Sequence, residues 1–282
     1  MDIDHIHHEL SKINLFGNHT VDYERLSGGT SSSVFAVLIG DHPRFVIKIN
    51  APSMIESESV FLAKYAEIDL LSNLVYVDPA YRFLVYTYKP GTTRYVKGDK
   101  ERHLESLVND LLNRYKWCDL QGYGYIDDPV SSWREFLAGR AIDSRAILTD
   151  TLAQEEHQFI SDRINSMAES KLKYLIHGDC GVHNFIFNNG IMTGIIDSTP
   201  IAGEPIYDLI YAFCSSPEDL SYAVIEHAIR TLDKSLIMNR NINEEVIIGL
   251  YFRMATCILH HPSDLNDYLE AWSYWKQRVN KK

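Results

Sequence analysis

The chain has 282 residues, 45% hydrophobic and 23% charged, which supports one large domain or two modest ones, each with its own core. Its net charge of -11 argues against a nucleic-acid or anionic-membrane partner, because phosphate backbones are held by Lys and Arg. No apolar run approaches the roughly 18 residues needed to cross a bilayer.

The N-terminal stretch MDIDHIHHELSKINLF lacks the basic and apolar order of a secretory signal. The cysteines Cys118, Cys180, Cys214 and Cys257 show no CxxC spacing and read as reduced thiols. These features predict a cytoplasmic protein, monomeric or homodimeric, whose partner is a small molecule that is cationic or neutral.

Ile3, Ile6, Leu10 and Ile13 recur at helical spacing and predict a short amphipathic helix over 2–13. The β-branched and aromatic stretches TVDYERL, SSVFAVLI and RFVIKIN predict strands, separated by the turn signals SGGTS and GDHP. A helix follows over 53–66 with Ser53 as its N-cap, then two strands, LVYVD and RFLVYTY, joined at DPAY. From about residue 99 the period is mostly helical, as in ERHLESLVNDLLNRY, EEHQFISDRINSMAE, EDLSYAVIEHAIRTLDKSLI and NEEVIIGLYFRMATCILHH. The strand-like YLIHGD, NFIF and IMTGIID interrupt it. The predicted architecture is α+β and two-lobed: a small β-rich lobe over 1–88 and a larger, mostly helical lobe over 89–282, hinged near Lys89–Pro90–Gly91.

Several polar residues stand where an apolar core pattern would exclude them, and together they suit phosphoryl transfer from a nucleoside triphosphate. Such transfer needs close backbone approach to phosphates, a cation, hard oxygen ligands for a divalent metal, and a group to orient the incoming hydroxyl. The turn LSGGTSSSVF offers Ser27, Gly28, Gly29, Thr30 and Ser31: the glycines allow close approach, and the Thr and Ser amides and hydroxyls can donate. A hairpin turn is the plainer account of a Gly-Gly pair between strands. Lys48 lies in the apolar strand FVIKIN and needs an anionic partner if buried. Glu58 is preferred to Glu56, because Phe61, Leu62 and Tyr65 follow on its core side. In HGDCGVHN, Asp179 can hold a substrate hydroxyl, Asn184 can ligate Mg²⁺ through its carbonyl oxygen, and His177 can tie the loop down. Asp197 ends the apolar stretch GIID, where a second metal-binding carboxylate would belong.

The motifs HGDCGVHN, IIDST and GEPIYDLIYAF resemble the aminoglycoside phosphotransferase and choline-kinase-like family, relatives of the protein kinases, and LSGGTSSSVFAV, FVIKIN and Glu58 match that family in order. The resemblance spans residues 22 to about 260 and implies a protein-kinase-like fold. It implies Asp179 as catalytic base, Asn184 and Asp197 as Mg²⁺ ligands, and Lys48 as the contact to the α- and β-phosphates with Glu58 its partner. It also implies VYTYKPG, with Tyr86 and Tyr88, as the hinge that bonds the base of ATP or GTP, and Asp208 as a structural acid bracing the catalytic loop. Cys180 replaces the usual aliphatic after the catalytic Asp, and Ser198 stands where many relatives carry a bulky residue.

A zinc site is the rival reading, drawing on His177, Asp179, Cys180 and His183, or on Cys257, His260 and His261, but neither stretch has four ligands at standard spacing. Between 197 and 233 seven acids face one base, Arg230. Of these Glu204, Glu218 and Asp219, with Trp133 from SSWREFL, are the candidates to line an acceptor pocket, where they would suit an amine. The expected activity is transfer of the γ-phosphoryl group of ATP or GTP to a hydroxyl of an aminoglycoside or related amine. A kinase of a choline-like amine or sugar, or a nucleotide-binding protein of this shape without transfer, are the alternatives.

Overall fold

Residues 2–26, 32–95, 97–169, 173–237 and 240–280 are described by a computed structural model, in which the chain separates into two units, Met1–Gly91 and Thr92–Lys282. The first is β-rich. Its leading helix α1 (Ile3–Lys12) is capped by the Asp2 side chain, which accepts from the Asp4 amide, and buries Ile6 and Leu10.

Strands β1 (Val21–Arg25), β2 (Ser33–Ile39), β3 (His42–Ile49), β4 (Leu74–Val77) and β5 (Phe83–Thr87) form an antiparallel sheet in the order β1-β2-β3-β5-β4. Val37, Ile47, Phe83 and Val85 point from one face of that sheet onto Ile6 and Leu10. Side chains alternate along a strand, so Lys48, between Ile47 and Ile49, projects from the other face.

Helix α2 (Pro52–Lys64) starts earlier than the sequence suggests: Ala51, not Ser53, is the N-cap, and Pro52 opens the helix. Proline at the first helical position costs no hydrogen bond and presets φ, so it overrides the serine three atoms of backbone later. The helix buries Glu58 beside Phe61 and Leu62, while Glu56 is exposed.

In the second unit helix α3 (Lys100–Asp110) is followed by β6 (Gly124–Tyr125), α4 (Trp133–Leu148), α5 (Gln154–Ser166) and β7 (Tyr174–Ile176). Then come the hairpin β8 (Phe185–Asn188) and β9 (Ile191–Ile195), β10 (Ile201–Gly203), α6 (Ile206–Cys214), α7 (Tyr222–Thr231), α8 (Ile242–His260) and α9 (Leu265–Asn280). The helical period over 218–237 holds only for α7; beyond it the Asp233 carboxylate caps a short 3-10 turn at Lys234–Leu236. The strands flanking HGDCGVHN belong to different sheets: β7 pairs with β10, and β8 pairs with β9. Trp133 packs flat on the β10 backbone, where a Cβ at Gly203 would fall 2.4 Å from its ring, so that glycine is a packing requirement. All four cysteines are buried free thiols, and no described helix is long and apolar enough to cross a membrane.

The Lys48 ammonium and the Glu58 carboxylate meet at 2.6 Å, with side-chain exposures of 5% and 4%. Removing one member of a buried pair leaves the other charge in an apolar setting. Glu58→Ala is therefore expected to cost about 3–5 kcal/mol in urea unfolding, and Glu58→Gln less. An unchanged urea midpoint for Glu58→Ala would show that the pair contributes nothing to the first unit.

Candidate active site

The loop between β7 and β8 is held by a buried carboxylate. Asp208, near the start of α6, accepts the His177 amide at 2.8 Å and the Gly178 amide at 3.0 Å, and the Tyr115 hydroxyl donates to it at 2.6 Å. Three donors on one side chain fix the backbone where the chain leaves β7. Gly178 has φ +81°, and a Cβ there would lie 2.0 Å from the Thr199 carbonyl oxygen, so no other residue fits. His177 is buried and bonds at both ring nitrogens: Nδ1 lies 3.3 Å from the Asp179 amide and Nε2 lies 3.1 Å from the Ile196 carbonyl oxygen. An amide can only donate and a carbonyl only accept, so the proton resides on Nε2.

The far side of the loop closes on the same segment. Ile196 donates to the Asn184 carbonyl at 3.0 Å, and Thr199 donates to the His177 carbonyl at 3.0 Å. Asp197 sits between those anchors with φ +61°, a left-handed conformation that L-residues other than Asn and Asp enter at a cost. Asn184 directs its amide nitrogen onto Asp179, 2.8 Å from the carbonyl and 3.0 Å from the carboxylate oxygen Oδ2. Its Oδ1 remains the donor atom for a cation. The hard oxygens of Asn184 and Asp197 suit Mg²⁺, which keeps several waters or phosphate oxygens and needs few protein ligands. Among the described residues no group of three or more His, Cys, Asp or Glu side chains could hold a metal, so the zinc reading finds no site there.

Two neighbouring carboxyls are driven in opposite directions. Burial opposes ionisation of Asp179, but the His183 ring, the Tyr211 hydroxyl and the nearby His177 outweigh it and hold the carboxyl well below the usual carboxylate range. His183 Nε2 lies 3.6 Å from Asp179 Oδ2. Burial pushes Asp208 the other way, up to about 7, against the Tyr115 hydroxyl and the two amides. A carboxylate held as low as Asp179 is a weak base; it can orient a hydroxyl and accept its proton only late in transfer.

The remaining predicted residues divide by unit. In the first, Lys48 and Glu58 form the pair described, Tyr86 is buried on β5 opposite Val46 and Leu74, and the Tyr88 amide donates to the Arg44 carbonyl at 2.9 Å. Ser27, Gly28, Gly29, Thr30 and Ser31 lie outside the described residues. In the second unit the acidic stretch is largely engaged. Glu204 is buried and takes Arg240 in a two-point ion pair, so it is a structural acid and not the open pocket acid the sequence suggested. The Tyr95 hydroxyl donates to the Glu218 carboxylate, and the buried Lys100 ammonium donates to the backbone carbonyl of Glu218 at 2.6 Å and of Ser216 at 3.0 Å. Asp219 is exposed. Trp133 is buried, stacked 5.1 Å from Phe136, and it does line a pocket.

That pocket lies between α4, α6 and α8 and is walled by Trp133, Tyr207, Tyr211, Phe252 and Arg140 among others. Tyr211 connects it to the loop, since its ring approaches Gly181 and its hydroxyl bonds Asp179. Sequence reasoning passed over Tyr211, His183 as a partner of Asp179, Tyr115 and Arg140. His183 was legible as the residue four beyond Asp179, and Tyr211 as one helical turn beyond Asp208; nothing local marks Tyr115 or Arg140.

Residues 22–232 match the family model described as the phosphotransferase enzyme family. Among curated proteins, none matches the sequence. A thermostable mutant of aminoglycoside phosphotransferase APH(4)-Ia, solved as a ternary complex with AMP-PNP and hygromycin B, superposes with TM-score 0.63 at 16% identity, covering 97% of this chain and 100% of the other. Choline kinase from Cryptosporidium parvum Iowa II superposes with TM-score 0.63 at 12% identity, covering 99% of this chain and 96% of that one. At those identities the likeness establishes the kinase-like fold. With a family match across residues 22–232, about three quarters of its length, the chain belongs to the phosphotransferase enzyme family and is a small-molecule kinase.

Two measurements probe the opposed carboxyls. Asp208 is raised in the fold, so the native state binds a proton that the unfolded chain releases near 3.8, and stability falls as pH rises from there to about 7. Burial pushes Glu245 up to about 7 as well, adding a slope of the same sign. Asp208→Asn should be less stable at every pH and show a shallower decline across this window in urea titrations; an unaltered slope would place the titration elsewhere. Asp179 has the opposite sign: its stabilisation is present above the unfolded value and is lost only in stronger acid. His183→Gln should raise the Asp179 carboxyl pKa, read by carbon-13 NMR of the side chain, and no movement would remove His183 from its environment.

Proposed function

We propose that this chain transfers the γ-phosphoryl group of ATP or GTP to a hydroxyl of a small molecule. The observation that carries the reading is the Asp208-braced loop that holds Asp179 ionised beside Asn184 and next to a pocket. Asp179 orients the acceptor hydroxyl. The bond from the γ-phosphorus to the β–γ bridging oxygen breaks, a bond to the acceptor oxygen forms, and the hydroxyl proton leaves late by way of Asp179. Lys48, paired with Glu58, holds the α- and β-phosphates, Ser27 to Ser31 are the further candidates for phosphate contact, and the backbone around Tyr86 and Tyr88 meets the base. Asn184 and Asp197 would hold Mg²⁺, which when bound neutralises phosphate charge. Positioning and charge neutralisation supply most of such catalysis.

The acceptor's charge is a separate matter. An aminoglycoside or related amine is the acceptor the acidic stretch suggested, yet Glu204 is neutralised by Arg240 and Glu218 is bonded to Tyr95. The reason for preferring an amine is thereby weakened, while the transfer reading stands on other residues.

Asp179→Asn keeps the shape and removes the charge. It should lower acceptor-dependent ADP release by about 10³-fold or more while Mg·ATP binding by calorimetry stays within about twofold. Parent-level release from this variant would end the assignment.

A further inference from the structure

The pocket beside Tyr211 carries more positive charge than the transfer reading uses. Arg140 enters from α4; it donates to the Tyr207 hydroxyl, and its guanidinium lies 5.7 Å from the Tyr207 ring centre and 5.2 Å from that of Phe252. Arg253 on α8 also lines the pocket, its Nε donating to the Tyr268 hydroxyl at 2.9 Å. Among the described residues neither guanidinium forms an ion pair. Asp179 acts on Arg140 through space without touching it. The acid on the pocket wall, Glu245, is buried and shares Arg240 with Glu204, its Oε1 3.7 Å from the Arg240 Nε.

Burial opposes the Arg140 charge, and the neighbouring phenols with Asp179 outweigh it, so the guanidinium stays a cation although no described carboxylate pairs with it directly. Its planar fork fits a carboxylate in two parallel hydrogen bonds. The aromatic walls suit an apolar body. An ammonium brought into the same space would meet two like charges. A cation that feels Asp179 through space also serves an anionic acceptor, because it offsets part of the repulsion between that acceptor and the loop carboxylate.

We propose that the acceptor is a hydroxy acid: its carboxylate binds Arg140 with Arg253 in support, its apolar body lies against Trp133, Tyr207 and Phe252, and its hydroxyl is presented past Tyr211 to Asp179. The last part rests on the transfer reading; the charge preference of the pocket does not.

Three probes share a phenyl body and a hydroxyl and differ in charge: 3-phenyllactate, 3-phenyllactamide and phenylalaninol. In calorimetric titrations without nucleotide, 3-phenyllactate should bind about tenfold or more tighter than the amide, with phenylalaninol weakest. Arg140→Met should bring acid and amide within about twofold of each other, and Arg140→Lys should restore part of the gap. Should Arg140→Met fail to fold, Arg140→Lys and Arg253→Met carry the comparison, each with a reduced preference for the acid. Tighter binding of phenylalaninol, equal binding of all three, or no saturable binding of any overturns the proposal. ADP release is scored separately: 3-phenyllactate that binds with its preference intact but releases no ADP supports the anionic pocket and counts against transfer. Release with phenylalaninol alone supports transfer and overturns the hydroxy-acid acceptor.

Discussion

A carboxylate that receives two consecutive backbone amides and a phenol sets the position of everything else in the second unit's loop. Asp208 stands on α6, Tyr115 follows α3, and the amides belong to His177 and Gly178 at the end of β7, so one side chain joins three remote parts of the chain. Unsatisfied, those donors would each cost about 1–3 kcal/mol in a buried setting. Satisfied, they anchor the loop backbone where the chain leaves β7. His177 then extends the order outward through its two ring nitrogens, to the Asp179 amide and to the residue preceding Asp197.

The neighbouring carboxyls show how environment separates two chemically identical groups. Asp208 has neutral donors in a fully apolar setting, and burial prevails. Asp179 is more open and has a histidine and a tyrosine hydroxyl on it, and the local partners prevail. One acid is thereby suited to structure and the other to carrying charge at neutral pH.

Much of this was legible in the sequence because it is local. Lys48 and Glu58 announced themselves as charges in apolar periods, and the order of Asp179, Asn184 and Asp197 as polar interruptions of strands. The sheet of the first unit follows from alternation and turns. What stayed hidden is long-range: Glu204 meets Arg240 across thirty-six positions and Tyr115 meets Asp208 across ninety-three, and no spacing rule reports either. The pairing of β7 with β10 instead of β8 was equally hidden, since three-residue strands carry too little pattern to choose a partner. The start of α2 was misplaced because proline's fixed φ governs more strongly than a serine cap.

Helix α6 presents Asp208 to the loop and Tyr207 and Tyr211 to the pocket within a single turn and a half. A substitution that reshapes the pocket from this helix therefore disturbs the support of the chemistry as well, and its kinetic effect cannot be credited to recognition alone. Helix α4 lines the same pocket, and its Arg140 feels Asp179 only through space. Recognition can therefore be probed more cleanly from the α8 wall, at Phe252 or Ile248, than from α6.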